Sequence, residues 1–544
     1  MTPGTPGPEV LVVGAGPVGL CTAIELVRRG VRVRIVDRRT EPRTGTRACT
    51  VWQRSLEVFD LMGLPVEEYL ASGVPYTFRT HHFAGYPPHV RDAAQPGTPY
   101  PRPLLIGQQD TVAMLTRHLS GLGVEVERGR TAVPVAQDAE GVTVRLETAD
   151  GGGELTRAGW VVGAQGPHSS VRDAMDCAWE KKHYSGTQLL QVDARWTGSL
   201  PGDPSHCHLF LTREGSLGSA PLPDGRHRFY IGVADTGRTG DPEVEEVLEA
   251  ARRVTGVYDL EFHDARFNWR VRLYNAVAGS YRDGRLLLAG DSAHTLMPVT
   301  AQGMNTGVQD AFNLGWKLAA VVRGEAGETL LDSYEAERRP VALGLAERNH
   351  RTYWGGTGPV PPFDRLYEAL DHMGAGHTGL PLAYPDSPLS GRTDGAADGA
   401  AAAGANGGAG PVAGDRVPDA ALHSPEGRLF RLIGRGSWTL LAFPADPADP
   451  ESAGLAAKEL APAARRAGVT ARVVGNAFGG AVGGGTQTLA DPDGALRAAF
   501  GAQRGAVLLL RPDGYVAFRG GARDGAALEG HLDTVLGRAV AAAR

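Results

Sequence analysis

The sequence predicts an α/β protein in which a Rossmann-like, doubly wound dinucleotide-binding sheet is interrupted by an antiparallel β insert and followed by a second, smaller α/β unit. Three observations predict it. The chain opens on a strand, a glycine-rich turn, a helix and a second strand; residues 188–233 alternate apolar with polar side chains; and an apolar strand ending in Gly290-Asp291 returns far downstream.

The first unit is Glu9-Val-Leu-Val-Val-Gly14-Ala-Gly16-Pro17-Val-Gly19 followed by Val31-Arg-Val-Arg-Ile-Val-Asp37. Gly14 permits the turn, Gly16 lets a pyrophosphate approach the backbone, and Gly19 lets the helix pack against the sheet. Asp37 stands about 20 residues on, where an acid accepts a ribose hydroxyl.

The insert follows. Gln188–Trp196, His206–Leu211 and Arg226–Val233 are separated by Gly, Pro and Asp turns, as antiparallel strands are, and Phe262–Arg272 extends the same pattern. This sheet is expected to roof a substrate cavity. Tyr230 and Trp269 would stack on a flat ligand, while Arg270 and Arg272 share a face and would bind a phenolate or a nicotinamide phosphate. His206 and His208 also share a face, but no third ligand accompanies them and no metal site is expected.

The run Arg285–Gly290 reads as a buried strand that delivers Asp291 to its end. Gly303 and Gly307 then remove side chains near a helix start, where backbone N–H groups meet an electron-rich ring or an anion. Asp394–Gly414 is mostly Ala and Gly, a linker composition. Beyond it, Trp438–Phe443, Val469–Val474, Ala506–Leu510 and Tyr515–Phe518 read as strands, the last two joined by the turn Arg511-Pro-Asp-Gly514, with a helical stretch over Ser452–Ala467.

Composition sets bounds. A chain of 544 residues exceeds one domain, and its formal net charge of -6 argues against nucleic-acid or acidic-lipid partners. Lysine occurs only at 181, 182, 317 and 458, so the abundant arginines reflect a codon bias, and each is read as a surface residue by default. Cys21, Cys49, Cys177 and Cys207 are scattered, without disulfide or metal-ligand spacing. No targeting or membrane-spanning segment is evident, and a cytoplasmic protein is expected.

The fingerprint, Asp37 and the segment GRLLLAGDSAHTLMPVTAQGMNTGVQDAFNLGWKLA from Gly284, with LLDSYEAERRPVA after it, resemble the class A flavoprotein monooxygenases, the family of para-hydroxybenzoate hydroxylase and phenol hydroxylase. The likeness is greatest to the branch that hydroxylates aromatic polyketides. It implies an FAD-binding domain of glutathione-reductase type from residues 1–175 and 276–390, a substrate-binding β-sheet domain at 176–275, a linker at 391–414, and a thioredoxin-like C-terminal domain at 415–544. The last has no cysteine, so thiol redox chemistry is excluded there and packing or dimerisation is its role.

The resemblance further implies that Gly14, Gly16, Pro17, Gly19, Asp37 and Arg38 hold the adenosine half of FAD and that Asp291 binds the ribityl chain. Arg47, Gln108 and Gln165 fall at other FAD-contacting positions, while Pro298 and the backbone of Gly303, Met304 and Asn305 line the isoalloxazine. NADPH or NADH would reduce the flavin, dioxygen would form a C4a-hydroperoxide, and a polycyclic aromatic of secondary metabolism, such as an antibiotic precursor, would take the oxygen. No side chain is an obligatory catalyst, since the chemistry is the cofactor's. A homodimer is compatible with this reading.

The chain departs from the family at three places: Gln165 stands where the family has an acid, Thr300-Ala301 replace Gly-Gly, and Val112 replaces a common glutamate. Gln165 keeps a second function open, a flavin-bound protein that shields or isomerises a reactive intermediate with little hydroxylation. A flavin oxidase or dehydrogenase is the third.

Overall fold

Val10–Val13 is buried throughout and pairs in parallel with Val33–Asp37 on one side and Trp160–Gly163 on the other. In the computed structural model of the chain, which describes residues 7–45, 48–298, 301–352, 377–392, 410–433, 436, 438–467, 471–476 and 486–536, these strands centre a six-stranded sheet. Leu286–Leu288 continues it in parallel beyond Trp160–Gly163, and Val126–Arg128 beyond Val33–Asp37. Continuous apolar strands of this kind need both faces covered. The helix Pro17–Val27 covers one and itself packs on the buried helix Gly303–Val322. The two helices approach closely because position 315 is glycine; a Cβ there would press on the Glu25 side chain.

The chain order matters for what this sheet presents. Gly14, Asp37, Ala164-Gln165 and Gly290-Asp291 all follow the carboxyl ends of parallel strands, the edge where such sheets bind ligands.

The second sheet has eight strands. Its backbone is the long antiparallel pair Trp179–Thr197 and Glu261–Ala278, to which His227–Ala234, Gly215–Pro221 and Cys207–Thr212 add in turn, while His294–Thr295 lies at the far edge. Asp264 and Phe267 take positive φ of 50° and 55° where the register of the long pair shifts. Residues 188–196, 206–211, 226–233 and 262–272, read as strands from the sequence, contribute to this sheet, which also recruits Phe78–Phe83, in parallel with Cys207–Thr212, and His89–Asp92. Both come from within the stretch grouped by sequence with the first domain.

One face of this sheet, with Leu190, Val192, Phe229 and Ile231, is closed by Val247, Leu248 and Ala251 of the helix Val244–Thr255. On the other face Cys207, Ala220 and Tyr230 pack against Cys49, Trp52 and Leu105.

The C-terminal sheet runs Gly391–Arg392, Val516–Gly520, Ala506–Leu510, Thr439–Phe443, Ala471–Gly475, Gln487–Ala490, with the helices Pro450–Ala467 and Gly525–Leu536. Gly514, at φ +77°, closes the hairpin turn, and its N–H donates to Arg511 O. This unit is fused to the first by a shared apolar core: Trp316 meets Trp438 edge to face at 5.4 Å, and Trp316, Ala320 and Leu330 cluster with Leu440 and Leu460. Most of the Ala/Gly linker, 393–409, lies outside the described residues. Among the described residues no helix is long and apolar enough to cross a membrane, and no cluster of His, Cys, Asp or Glu is suited to a metal ion.

Candidate functional site

The glycine turn after Val13 has two kinds of glycine. Gly14 sits at φ +107°, and a Cβ there would collide with Ala164 O, so position 14 admits only glycine. Gly16 has ordinary backbone angles and nothing within 4 Å of its Cβ position. The space above it is open and faces the start of the helix Pro17–Val27, where unpaired N–H groups favour an anion. That cradle fits the pyrophosphate of a dinucleotide. Asp37 accepts from Ala15 N at 2.8 Å and from Arg39 N at 2.9 Å, so the carboxylate expected at a ribose also pins the turn itself. Arg38 is exposed beside it, and Arg47 lies outside the described residues.

At the other strand end, Asp291 Oδ1 lies 3.7 Å from the Cβ position of Gly303. The absent side chain keeps the carboxylate beside the N-terminus of the helix Gly303–Val322. Asp310 supports this corner from below, fully buried, accepting from Gly290 N at 3.2 Å, His294 Nε2 at 2.6 Å and Arg338 Nε at 2.6 Å. Burial opposes its charge, yet the Arg338 guanidinium and then His294 outweigh burial and hold the Asp310 carboxyl below its ordinary value. Arg338 in turn donates to Tyr384 Oη and Thr306 O. Asp310 and His294 thus serve as architecture beneath the turn.

The Asn305 side chain is committed within the protein. Its Oδ1 accepts from Trp52 N (2.9 Å) and Ser55 Oγ (2.7 Å), and its Nδ2 donates to Thr50 O (2.9 Å) and Ala301 O (2.8 Å). The amide is fully used in tying the helix start to the segment Thr50–Ser55, which leaves the backbone of Gly303–Asn305 as what this segment offers a ligand. Ala301 precedes it at φ +53°, a left-handed conformation for a residue with a Cβ. Met304 is half-buried and Pro298 exposed; Thr300 lies outside the described residues. Gln108 opens the helix Gln108–Gly121 and accepts from Ala48 N at 3.3 Å, fixing the loop end that leads to Cys49.

Gln165 is chemically matched to its surroundings. Its Oε1 accepts from Ser169 Oγ (2.9 Å) and Val171 N (3.4 Å), and its Nε2 donates to Ser170 Oγ (2.8 Å), whose own proton goes to Ala132 O (2.5 Å). A carboxylate has no proton to give Ser170.

The face of the eight-stranded sheet turned away from the helix Val244–Thr255 carries Tyr230 and Trp269, both directly across from Gln191. Tyr230 Oη lies 3.4 Å from Cys49 Sγ, and burial followed by Cys49 pushes its hydroxyl well above the ordinary value. Asp193 and Arg228 form a fully buried bidentate pair on the same face. Arg270 and Arg272 sit on the opposite face: Arg270 pairs with Glu246 at 2.7 Å and donates to Gln188 Oε1, and the half-exposed Arg272 faces Asp235 at 3.3 Å. They share a face as predicted, but strand alternation turns that face to the helix Val244–Thr255 and away from Tyr230 and Trp269. His208 binds His82 (3.1 Å) and Asp203 O (2.8 Å), and His206 binds Thr80 Oγ1 (3.0 Å), so both are held in a hydrogen-bonded cluster.

Sequence reading missed Trp52, Tyr76, Arg79, His81 and His377, which line a cleft beside the Gly303 helix. The alternation in Phe78-Arg-Thr-His-His-Phe83 carried the signal for two of them.

Comparison with known proteins places these features in context. The family model for an FAD binding domain matches residues 8–349, and that for the C-terminal part of aromatic-ring hydroxylases matches 410–539. A 6-methylpretetramide 4-monooxygenase of Streptomyces rimosus is 35% identical over 541 residues, 96% of this chain and 92% of its own. Among solved structures, the anhydrotetracycline hydroxylase of Streptomyces rimosus has a TM-score of 0.72 at 29% identity, covering 97% of this chain and 99% of that one. The ternary complex of aklavinone-11 hydroxylase with FAD and aklavinone has a TM-score of 0.76 at 26% identity, covering 98% and 100%.

Proposed function

The chain belongs to the FAD-dependent aromatic-ring hydroxylases, and on that premise we propose that it spends NADPH or NADH and dioxygen to place one oxygen atom on a polycyclic aromatic substrate of the polyketide type. The observation that carries this reading is convergence. The open cradle at Gly16, Asp291 and the side-chain-free start of the Gly303 helix meet at the carboxyl edge of one sheet, and Tyr230 of the second sheet reaches Cys49, next to the Thr50 that Asn305 binds. Bound FAD, once reduced, supplies the oxygen-activating chemistry.

The protein's own share is holding, orienting and excluding water. Gly14, Gly16 and Asp37 would seat the adenosine half and Asp291 the ribityl chain, with Arg38 and Gln108 at the rim. Backbone N–H groups at Gly303–Asn305 would face the ring system, held in place by the Asn305 amide. Tyr230 and Trp269 are the aromatic surfaces we assign to the substrate; Arg270 and Arg272, committed to acids on the outer face, are left out of that assignment. The fused-ring substrates in the names of the related enzymes support the substrate class. We read the C-terminal unit as a thioredoxin-like domain with a packing role, and the reaction as cytoplasmic, where reduced nicotinamide is at hand.

The test supplies FAD-loaded protein with NADPH, isotopically labelled dioxygen and a panel of tetracyclic phenols. Label in the product, matched one for one with NADPH consumed, is expected. NADPH oxidation that yields only peroxide would overturn the proposal, and tight ligand binding without NADPH oxidation would favour the shielding role.

A further inference from the structure

The cleft missed by the sequence has a specific polar character. It encloses about 50 Å³, several times the roughly 10–15 Å³ that one water needs on the same measure. Trp52, His81 and His377 line it, each more than nine-tenths buried, and Trp52 Nε1, His81 Nδ1 and His377 Nε2 have no hydrogen-bond partner among the described residues. Buried polar atoms are rarely left so, because each loses its water without compensation. Three around one small cleft point to a ligand that supplies the partners.

The charge of the cleft says which ligand. Arg79 lines it, with its guanidinium 5.5 Å over the Tyr76 ring. Arg91 lies on the rim, and the acid there, Asp92, is already held by Arg102 at 2.8 Å. Burial, with Arg79 adding to it, holds both His81 and His377 near a pKa of about 3, so the rings are neutral and the cleft's fixed charge is cationic. Its place is equally specific. His377 O accepts from Gln302 Nε2 at 2.8 Å and Trp52 N donates to Asn305 Oδ1, so both walls are hung from the start of the Gly303 helix.

We infer that this cleft is a subsite for a two-oxygen monoanion at one end of the polycyclic substrate, a carboxylate or the ionised 1,3-dicarbonyl that is its vinylogue, gripped by Arg79 and the Trp52 indole N–H. A guanidinium matches two oxygens sharing one charge, and the neutral imidazoles serve a neighbouring hydroxyl or amide. The subsite rests on the substrate reading above and deepens it: it names a charged group that one end of the ring system would carry.

The experiment is equilibrium dialysis of FAD-loaded protein against a matched pair, anthraquinone-2-carboxylate and neutral 2-(hydroxymethyl)anthraquinone, with 1,3-cyclohexanedione as competitor to represent the vinylogous source. The wild type is expected to prefer the carboxylate by about tenfold or more, the size of a charge-assisted bidentate contact. Arg79→Gln should erase the preference while leaving the neutral quinone's affinity unchanged. Trp52→Phe breaks no side-chain hydrogen bond among the described residues, so it keeps the test decisive if the Arg79 variant fails to fold, and it should shrink the preference several-fold. Displacement of the carboxylate by the dione identifies the dicarbonyl as an accepted form, and failure to displace it restricts the subsite to carboxylates. Equal affinity for the two quinones, or a preference that survives both substitutions, overturns the subsite while leaving the polycyclic reading intact. Binding of neither quinone also overturns it, and the labelled-oxygen experiment then judges the wider reading by itself.

Discussion

Arg511 holds Glu337 with both terminal nitrogens, at 2.6 and 2.8 Å, across the junction between the C-terminal sheet and the dinucleotide-binding unit, and neither side chain is exposed to solvent. Lys317 Nζ reaches the same carboxylate at 2.8 Å, while Asp513 receives Arg511 at 2.6 Å and the Trp316 indole at 3.0 Å. Two cations face two carboxylates in a dry junction, so the cluster is neutral only while complete.

Removing one member should therefore hurt more than the pair is worth. Glu337→Gln leaves Lys317 and Arg511 facing Asp513 alone, and a loss of about 3–5 kcal/mol is expected in chemical denaturation. Glu337→Met combined with Lys317→Met keeps the Arg511–Asp513 pair and the cluster's neutrality, and should cost less than the single change. If the single variant unfolds at the wild-type midpoint, the cluster is not what joins the two units.

The same cluster sets a pH dependence. Burial, only partly offset by Glu337, lowers Lys317 from 10.5 to about 8. Between these values the unfolded chain keeps the lysine proton and the folded chain does not, so this group's contribution to stability rises with pH across the window. Lys317→Met should remove that rise, measured as the difference in midpoint between the two ends of the window. Glu337 acts oppositely: Arg511 and Lys317 override its burial and hold its carboxyl well below the usual range, so its contribution is present above the ordinary carboxylate pKa of 4.5 and fades as pH falls.

The two glycines of the first turn should separate folding from cofactor binding. Gly16→Val places a side chain where the fold has nothing within 4 Å, so the apoprotein should melt as the wild type does while retaining little FAD. Gly14→Val should fail to fold, since its side chain meets Ala164 O. Normal flavin content in the Gly16 variant would remove the cradle from the site.

Asp291→Ala removes the carboxylate we assign to the ribityl chain and should weaken FAD by about 1.5–3 kcal/mol, roughly ten- to a hundredfold, in a flavin-release titration. Asp310→Ala should instead lower the melting temperature, because it strands Arg338 and His294 in the interior.

Gln165→Asp restores the residue type usual in the family, yet the structure predicts harm. The variant loses the donor to Ser170 Oγ, so a destabilisation of about 1–2 kcal/mol is expected, with no faster bleaching of the flavin by NADPH. Faster bleaching would show that the missing negative charge, and not the turn, is what the position controls.

How much of this was legible follows from range of interaction. The Gly14–Gly19 turn, Asp37 and the Gly290-Asp291 strand end are local patterns, and each lies where the sequence put it. Tyr230 and Trp269 both lie across from Gln191, and strand alternation puts them on one face. Alternation could not say which face of the sheet meets the ligand, and Arg270 and Arg272 were paired with the wrong neighbours because Glu246 and Asp235 come from other elements. The work of the Asn305 side chain was not legible, because Thr50, Trp52 and Ser55, three of its four partners, are far from it in the chain. The cleft of Trp52, Arg79, His81 and His377 draws on three distant segments, and no single window of sequence contains it.

The parallel pairing of Phe78–Phe83 with Cys207–Thr212 has a consequence for how such proteins diversify. The roof is stitched into the chain at two places, so it is not a cassette. A recombination event, natural or engineered, that imported only 179–278 from a relative would bring a sheet whose outer strands, Phe78–Phe83 and His89–Asp92, still belonged to the old parent. New specificities along this lineage should therefore arise more readily by point substitution on the inherited roof than by exchange of the roof itself, and chimeras should function only when both stretches travel together.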